Sequence, residues 1–263
     1  MCELLALSAN TPTDMTFSFR GLARRGGATG DHGDGWGLAS FDPGGGGVTL
    51  YRQKEPAAFC PLAAQVADLN LKAHCSIAHI RKATKGEVAL ENCHPFHRRW
   101  GDQDWVFAHN GDIHESLPAG STYRPLGSTD SEAAFCWILE NLSAAGLDPG
   151  DEQGLFEQLV RCSDTLAAKG IFNCLISNGA WLFAYASTKL HTLTRRAPFT
   201  TATLADDDLT LDFSKLTTPN DVVTIVSTAP LTTNEHWRAL EPGEALLLNA
   251  GEVIRHHRAA VRN

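Results

Sequence analysis

Cys2 stands directly behind Met1, so removal of that methionine would place a thiol and a free α-amine on one residue. A thiol is a strong nucleophile held back by its proton, and an α-amine, titrating near pH ~7.7–8.0, is a base able to take that proton. Three further clusters carry polar groups: Arg81-Lys82-Ala83-Thr84-Lys85-Gly86, Ala108-His109-Asn110-Gly111 and Ser128-Thr129-Asp130-Ser131-Glu132. Arg81 offers a planar fork for a carboxylate and Asp130 a counter-charge for an ammonium, which together suit the zwitterionic end of an amino acid. Asn110 with Gly111 suits an oxyanion, through a side-chain amide and a backbone N–H unobstructed by a Cβ. Taken singly, each has an ordinary reading: Cys2 as a small buried hydrophobe, Asn110-Gly111 as a turn, Asp130 as a helix cap, Arg81 as a surface charge. Together they are the parts needed to cleave a side-chain amide of glutamine.

The elements that must position these groups follow from periodicity. Residues 2–8 alternate weakly and read as a first strand, and Thr13-Asp14 reads as the cap of a short amphipathic helix reaching Arg25. The glycine-dense stretch 26–37 lacks the Lys-Ser/Thr ending of a phosphate loop and reads as a place of close backbone approach. Residues 44–47, between strand-like 36–41 and 48–51, read as a hairpin tip. Residues 73–80 and 105–108 read as buried strands that deliver the Arg81 and Asn110 clusters at their C-terminal ends. Apolar residues at 134, 135, 138, 139 and 142 set a helical period over 131–142, and 151–169 reads as a second helix. Segments 171–176, 180–185, 190–194, 221–227 and 244–248 read as strands between turn signals. Helices grouped between two strand-rich blocks predict an α+β architecture of stacked antiparallel sheets with helices outside.

Composition narrows the partners. A chain of 263 residues, 43% hydrophobic and 20% charged, falls in globular usage and reads as a single domain over 1–263. Its formal net charge of −8 repels polyphosphate and anionic lipid, so a small-molecule substrate is expected, with no nucleic acid and no membrane. The start has no positive flank and no apolar run approaches the ~18 residues of a membrane span, so a cytoplasmic location is expected. Seven cysteines without a C-x-x-C pair argue against a disulfide framework and a zinc ribbon. His94 and His97 flank Pro95, which disrupts the helix on which paired ligands usually sit, so no metal or other cofactor is expected. Asp206-Asp207-Asp208 lacks the remaining ligands of a calcium loop and reads as a solvated loop.

Six ordered motifs carry a family resemblance: Met1-Cys2-Glu3-Leu4-Leu5, Asp34-Gly35-Trp36-Gly37, Ala78-His79-Ile80-Arg81-Lys82-Ala83-Thr84, Glu91-Asn92-Cys93-His94-Pro95-Phe96, His109-Asn110-Gly111 and Thr129-Asp130-Ser131-Glu132. They resemble the class II glutamine amidotransferases of the N-terminal nucleophile hydrolase superfamily, in particular the stand-alone branch. The resemblance is strongest over 2–190 and thins beyond, where Val226-Ser227-Thr228-Ala229-Pro230-Leu231-Thr232 is its best remnant and receives no catalytic role. It implies a four-layer αββα sandwich of two mainly antiparallel sheets, Cys2 as nucleophile through its own α-amine, Asn110 and Gly111 as oxyanion hole, and Arg81 and Asp130 as substrate binders. Thr84 falls where the family's glutamine loop has a threonine. Lys82 and Lys85 stand where members have tryptophan and histidine, and two lysines there favour a larger or more acidic γ-glutamyl compound. The expected reaction is cleavage of the γ-carboxamide of glutamine, or of a γ-glutamyl amide, through a cysteine thioester. The length leaves no room for an acceptor domain, which suggests hydrolysis without transfer. The alternatives are a glutaminase subunit feeding ammonia to a separate synthetase, and a non-catalytic binding module.

Overall fold

The computed structural model describes residues 1–45, 47–118 and 120–258. In chain order the first half contains β1 (Glu3–Asp14), α1 (Thr16–Arg25), β2 (Trp36–Phe41), β3 (Val48–Gln53), α2 (Pro61–Asp68), β4 (Lys72–Ile80), β5 (Phe96–Trp100) and β6 (Gln103–Ile113). Two long helices follow, α3 (Asp130–Ala144) and α4 (Glu152–Ala167), then β7 (Gly170–Ser177), β8 (Leu182–Ala186), β9 (His191–Arg196), β10 (Thr201–Thr203), β11 (Thr210–Asp212), β12 (Val222–Ser227), β13 (Arg238–Ala239), β14 (Glu244–Asn249) and β15 (Glu252–His257). One sheet has the order β13-β9-β12-β1-β4-β2-β3 and the other β15-β14-β8-β7-β6-β5, while β10 and β11 form a separate ribbon.

Strand alternation decides which side chains meet. In β1, Leu4 and Ala6 join Ile77 of β4, Val226 of β12 and Val106 and Ala108 of β6 in a core between the two sheets. Leu5 and Leu7 turn the other way, onto Ala78 and Ile80 of the same sheet and Phe19 and Leu22 of α1. On the far side, Trp105 and Phe107 of β6 pack on Phe135, Ile138, Leu139 and Leu142 of α3 and on Leu155 and Leu159 of α4. The layers are therefore helix, seven-stranded sheet, six-stranded sheet, helix, the expected αββα sandwich. Central strands buried on both faces must be apolar on both, and this is why β1 alternates so weakly in sequence.

Several boundaries differ from the sequence expectation. β1 runs on through Thr13 and Asp14, which pair with Ala73 and Lys72 of β4, so α1 opens two residues later. β6 continues past 108 because β7 pairs with it as far as Ile113 and Gly170, which puts His109-Asn110-Gly111 inside a strand and not in a turn. The cap of α3 is Thr129, whose hydroxyl accepts the Glu132 N–H at 3.2 Å. The elements α2, β5 and β15 have no counterpart in the sequence expectation. The β2–β3 hairpin forms as expected, pairing Phe41 with Val48, although Gly46 of its tip lies outside the described residues. Among the described residues no helix is long and apolar enough to cross a membrane.

Leu139 is fully buried between α3 and the six-stranded sheet. Leu139→Ala should lower unfolding free energy by about 2–5 kcal/mol, read from urea denaturation midpoints; a shift under ~1 kcal/mol would mean that this layer does not pack as described.

Candidate active site

One end of the gap between the sheets collects the polar residues. β1 begins where β4 ends, with Glu3 opposite Ile80, and where β12 ends, with Leu5 opposite Ser227. Cys2, Arg81 and Thr228 therefore emerge together. Alternation then gives them a common face: Cys2 follows the parity of Leu4 and Ala6, His79 and Arg81 that of Cys75 and Ile77, Thr228 that of Val226, and Asn110 that of Val106 and Ala108.

The Cys2 thiol lies against Lys82, with the Lys82 N–H donating to Sγ at 3.4 Å and the S–H donating to the Lys82 carbonyl at 3.4 Å. Burial pushes the thiol pKa up, outweighing the opposite pull of the Lys82 N–H, the chain's N-terminal charge and Arg81. The Met1 carbonyl is 2.7 Å from His32 Nε2. Arg25 anchors the start of β1: it pairs with Glu3 at 3.0 Å and Asp206 at 2.7 Å and donates to the carbonyls of Ala229 and Pro230. Asp206 is thus held in an ion pair, contrary to its reading as part of a solvated loop.

Asn110 is fully buried, and its Nδ2 donates to Thr228 Oγ1 at 3.3 Å. That hydroxyl also accepts the Leu4 N–H at 2.9 Å, so residue 228 ties Asn110 to the strand that carries Cys2. Asn110 Oδ1 is buried without a hydrogen-bond partner among the described residues. Asn173 braces the region from behind, donating to the Asn110 carbonyl at 3.0 Å while its Oδ1 accepts the N–H groups of Ser187, Thr188 and Lys189. β5 stops pairing with β6 at Phe107, and the Ile113 N–H turns from β7 to Asp130 Oδ2 at 2.7 Å. Strand alternation directs the Gly111 N–H, two residues earlier, to that same unpaired edge. Glycine is required there, since a Cβ would stand 1.8 Å from the Ile171 carbonyl oxygen.

Arg81 is 2% exposed, and its guanidinium donates to the carbonyls of Lys85, Gly86, Glu87 and Asp34 at 3.0–3.4 Å. Asp130 accepts the N–H groups of Ile113 and Ser131. Thr84 is exposed, and its side chain makes no hydrogen bond to another described residue. Neither lysine is free: Lys82 Nζ lies 2.5 Å from Asp31, and Lys85 Nζ 2.5 Å from Asp112. This weakens the expectation that the lysines select an acidic compound. A cavity of about 360 Å³ opens beside Lys85, Ile113, Thr129 and Asp130.

His79 and His94 stack at 4.1 Å in the same gap, and among the described residues none of their four ring nitrogens has a partner in hydrogen-bonding geometry. His97, in contrast, bonds Asp104 at 2.7 Å, so the two histidines around Pro95 do not converge on a common centre. Among the described residues no group of three or more His, Cys, Asp or Glu side chains could hold a metal ion. The glycine-dense stretch gains a physical reason here. A Cβ on Gly35 would meet Cys93 Sγ at 2.6 Å, and one on Gly37 the His94 carbonyl oxygen at 2.3 Å, so these glycines let the segment bearing His94 close onto β2.

Burial pushes His79 down to about 3 and His94 well below its ordinary value. The unfolded chain protonates both rings near pH ~6.5 while the folded chain does not, so stability is full above that pH and falls as pH drops through the window below it. At pH 5 the loss from His79 should be about 2 kcal/mol, with a further loss from His94, visible as a lower urea midpoint than at pH 7 and reduced in His79→Gln. Equal midpoints at the two pH values would show that the rings already carry protons in the fold.

Sequence reading missed Thr228, Arg25 and the Asn173 brace. Thr228 lies 224 residues from Leu4 in the chain, and no local pattern marks such a contact. Comparison with known proteins agrees with the geometry. A family profile described as "Glutamine amidotransferases class-II" matches residues 1–263. The chain is 49% identical over 257 residues to "Putative glutamine amidotransferase YafJ" of Escherichia coli strain K12, covering 97% of this chain and 100% of that one. The crystal structure of a "predicted glutamine amidotransferase" from Pseudomonas aeruginosa superposes with TM-score 0.77 at 43% identity, covering 97% and 100%. The glutamine phosphoribosylpyrophosphate amidotransferase of B. subtilis shares the fold alone, with TM-score 0.61 at 16% identity over 99% of this chain and 50% of that one. Profile, relatives and fold coincide, and the chain belongs to the class II glutamine amidotransferases.

Proposed function

We propose that the chain, acting as one domain, hydrolyses the γ-carboxamide of glutamine or of a γ-glutamyl amide, with Cys2 as nucleophile once Met1 is removed. The observation that carries this reading is the shared face of Cys2, Asn110 and Arg81 at one end of the inter-sheet gap. A nucleophile, an oxyanion donor and a carboxylate binder on one face can address one substrate molecule at once.

The Cys2 α-amine takes the thiol proton, and Sγ bonds to the carbonyl carbon of the γ-carboxamide. The carbonyl oxygen becomes an oxyanion between the Asn110 amide and the Gly111 N–H. Collapse breaks the C–N bond as the amine returns the proton to the leaving nitrogen, which departs as ammonia or an amine. Water then attacks the thioester, releasing the γ-carboxylate and restoring the thiol. Arg81 holds the α-carboxylate and Asp130 the α-ammonium, with Thr84 on the loop that covers them. The base is essential because burial keeps this thiol protonated.

Intact mass should show loss of Met1, and a glutamine-like electrophile should then label Cys2. Asn110→Ala should lower kcat by about 10²–10³ with KM changed only a few-fold, because the oxyanion exists only after attack. Labelling that fails on Met1-free protein, or unchanged turnover in Asn110→Ala, would overturn the assignment. Retention of Met1 would do so too, by leaving the thiol without its base.

A further inference from the structure

The two groups assigned to the substrate's head group are already engaged by the protein itself. Arg81 has no carboxylate partner among the described residues, and three of its four acceptors are the consecutive carbonyls of Lys85, Gly86 and Glu87. The side chain of the first of these residues reaches the acidic side. Lys85 Nζ donates to the Ile113 carbonyl at 2.6 Å, pairs with Asp112 Oδ1 at 2.5 Å and lies 3.8 Å from Asp130 Oδ2. One short segment therefore offers oxygen acceptors to the buried cation and an ammonium to the acids, the same pairing that an amino acid's carboxylate and ammonium would make.

We propose that Lys85 is a specificity-determining residue whose ammonium occupies the subsite of the substrate's α-ammonium, so that a free amino-acid head group binds only by exchange with it. This rests on the assignment of Arg81 and Asp130 as head-group binders made above. Exchange is physically accessible. Lys85 is 39% exposed and lies in an exposed stretch, 84–88, whose backbone is held by Arg81 and, at the Glu87 carbonyl, by Asn92 Nδ2 at 3.0 Å. The neighbouring cavity of about 360 Å³, lined by Lys85, Ile113 and Asp130, gives the arriving group room.

The consequence is a question of selectivity. Where the acids are empty, an α-ammonium adds its full attraction. Where it must replace another ammonium of the same charge, most of that attraction cancels. Ligands whose α-nitrogen is absent or masked are then disfavoured far less than an open Asp130 would dictate.

A ligand-by-residue cycle tests this. Dissociation constants of L-glutamine and of 4-carbamoylbutanoate, the same molecule without its α-ammonium, are measured by calorimetry on Cys2→Ala protein, so that no turnover intervenes. With Lys85 present the two ligands should differ by less than about 3-fold; in Lys85→Met glutamine should be preferred by about 10-fold or more, and Lys85→Arg should keep the small ratio. Equal ratios in the Lys85 and Met proteins overturn the inference about Lys85 alone, provided that protein with Cys2 intact hydrolyses glutamine. If neither ligand binds any variant and the Cys2 protein is inactive, the head-group assignment falls and this inference falls with it.

Discussion

A guanidinium at 2% exposure must have acceptors, and around Arg81 much of the site is arranged to supply them. Its charge cannot be neutralised by losing a proton, so the fold answers with carbonyl oxygens. Those come from Asp34 at the end of the glycine-dense stretch and from the turn at 85–87. Backbone bonds lock the same two segments together: the Asp34 N–H donates to the Arg81 carbonyl and the Arg81 N–H to Gly35. The Asp34 carboxylate also takes the Ala83 N–H at 2.8 Å. Lys82, whose backbone meets the Cys2 thiol on both its N–H and its carbonyl, sits between these bonds. The arginine proposed to bind a substrate is thus also the group whose burial fixes the wall beside Cys2.

A second constraint acts through the other sheet. Asn110 and Cys2 are carried by different sheets, and packing of apolar faces alone would allow them to slide. Thr228 removes that freedom, because its one hydroxyl accepts from Leu4 and from Asn110. A hydroxyl has two lone pairs, and here they accept from the strand that carries Cys2 and from Asn110, which holds the two sheets in register. The price of such a polar gap is visible beside it, where the rings of His79 and His94 are held without hydrogen-bond partners among the described residues. The low-dielectric setting that makes those rings resist protonation also strengthens any hydrogen bond aimed at an oxyanion.

What the sequence revealed and what it withheld divide along range of interaction. Cys2, Arg81, Asn110, Gly111 and Asp130 could be nominated as candidates because each stands beside an apolar run whose type could be read, and strand ends are where polar groups accumulate. The sandwich was readable from the order of helices and strands. The role of Thr228 was not, since a threonine at the end of a strand looks the same whether or not it spans two sheets. Asp130 was read as a possible cap, yet Thr129 takes that role and frees Asp130 to hold the Ile113 N–H. The ion pair of Lys85 was hidden for a related reason. A lysine in a loop suggests a free charge, and only the fold reveals that Asp112, on a strand 27 residues later, stands opposite it.

The same electrostatics make the N-terminus a chemical checkpoint. Inside the gap the thiol is pushed toward its neutral form, and the nearby Lys82 N–H and Arg81 do not offset the burial. A buried neutral thiol is inert unless a base shares its pocket. While Met1 is in place, the nitrogen of residue 2 is an amide without basicity, and the Met1 carbonyl is engaged by His32. Loss of one residue converts that amide into an amine. The catalytic reading therefore depends on a single peptide bond at the mouth of the pocket, which is already assembled while Met1 is in place.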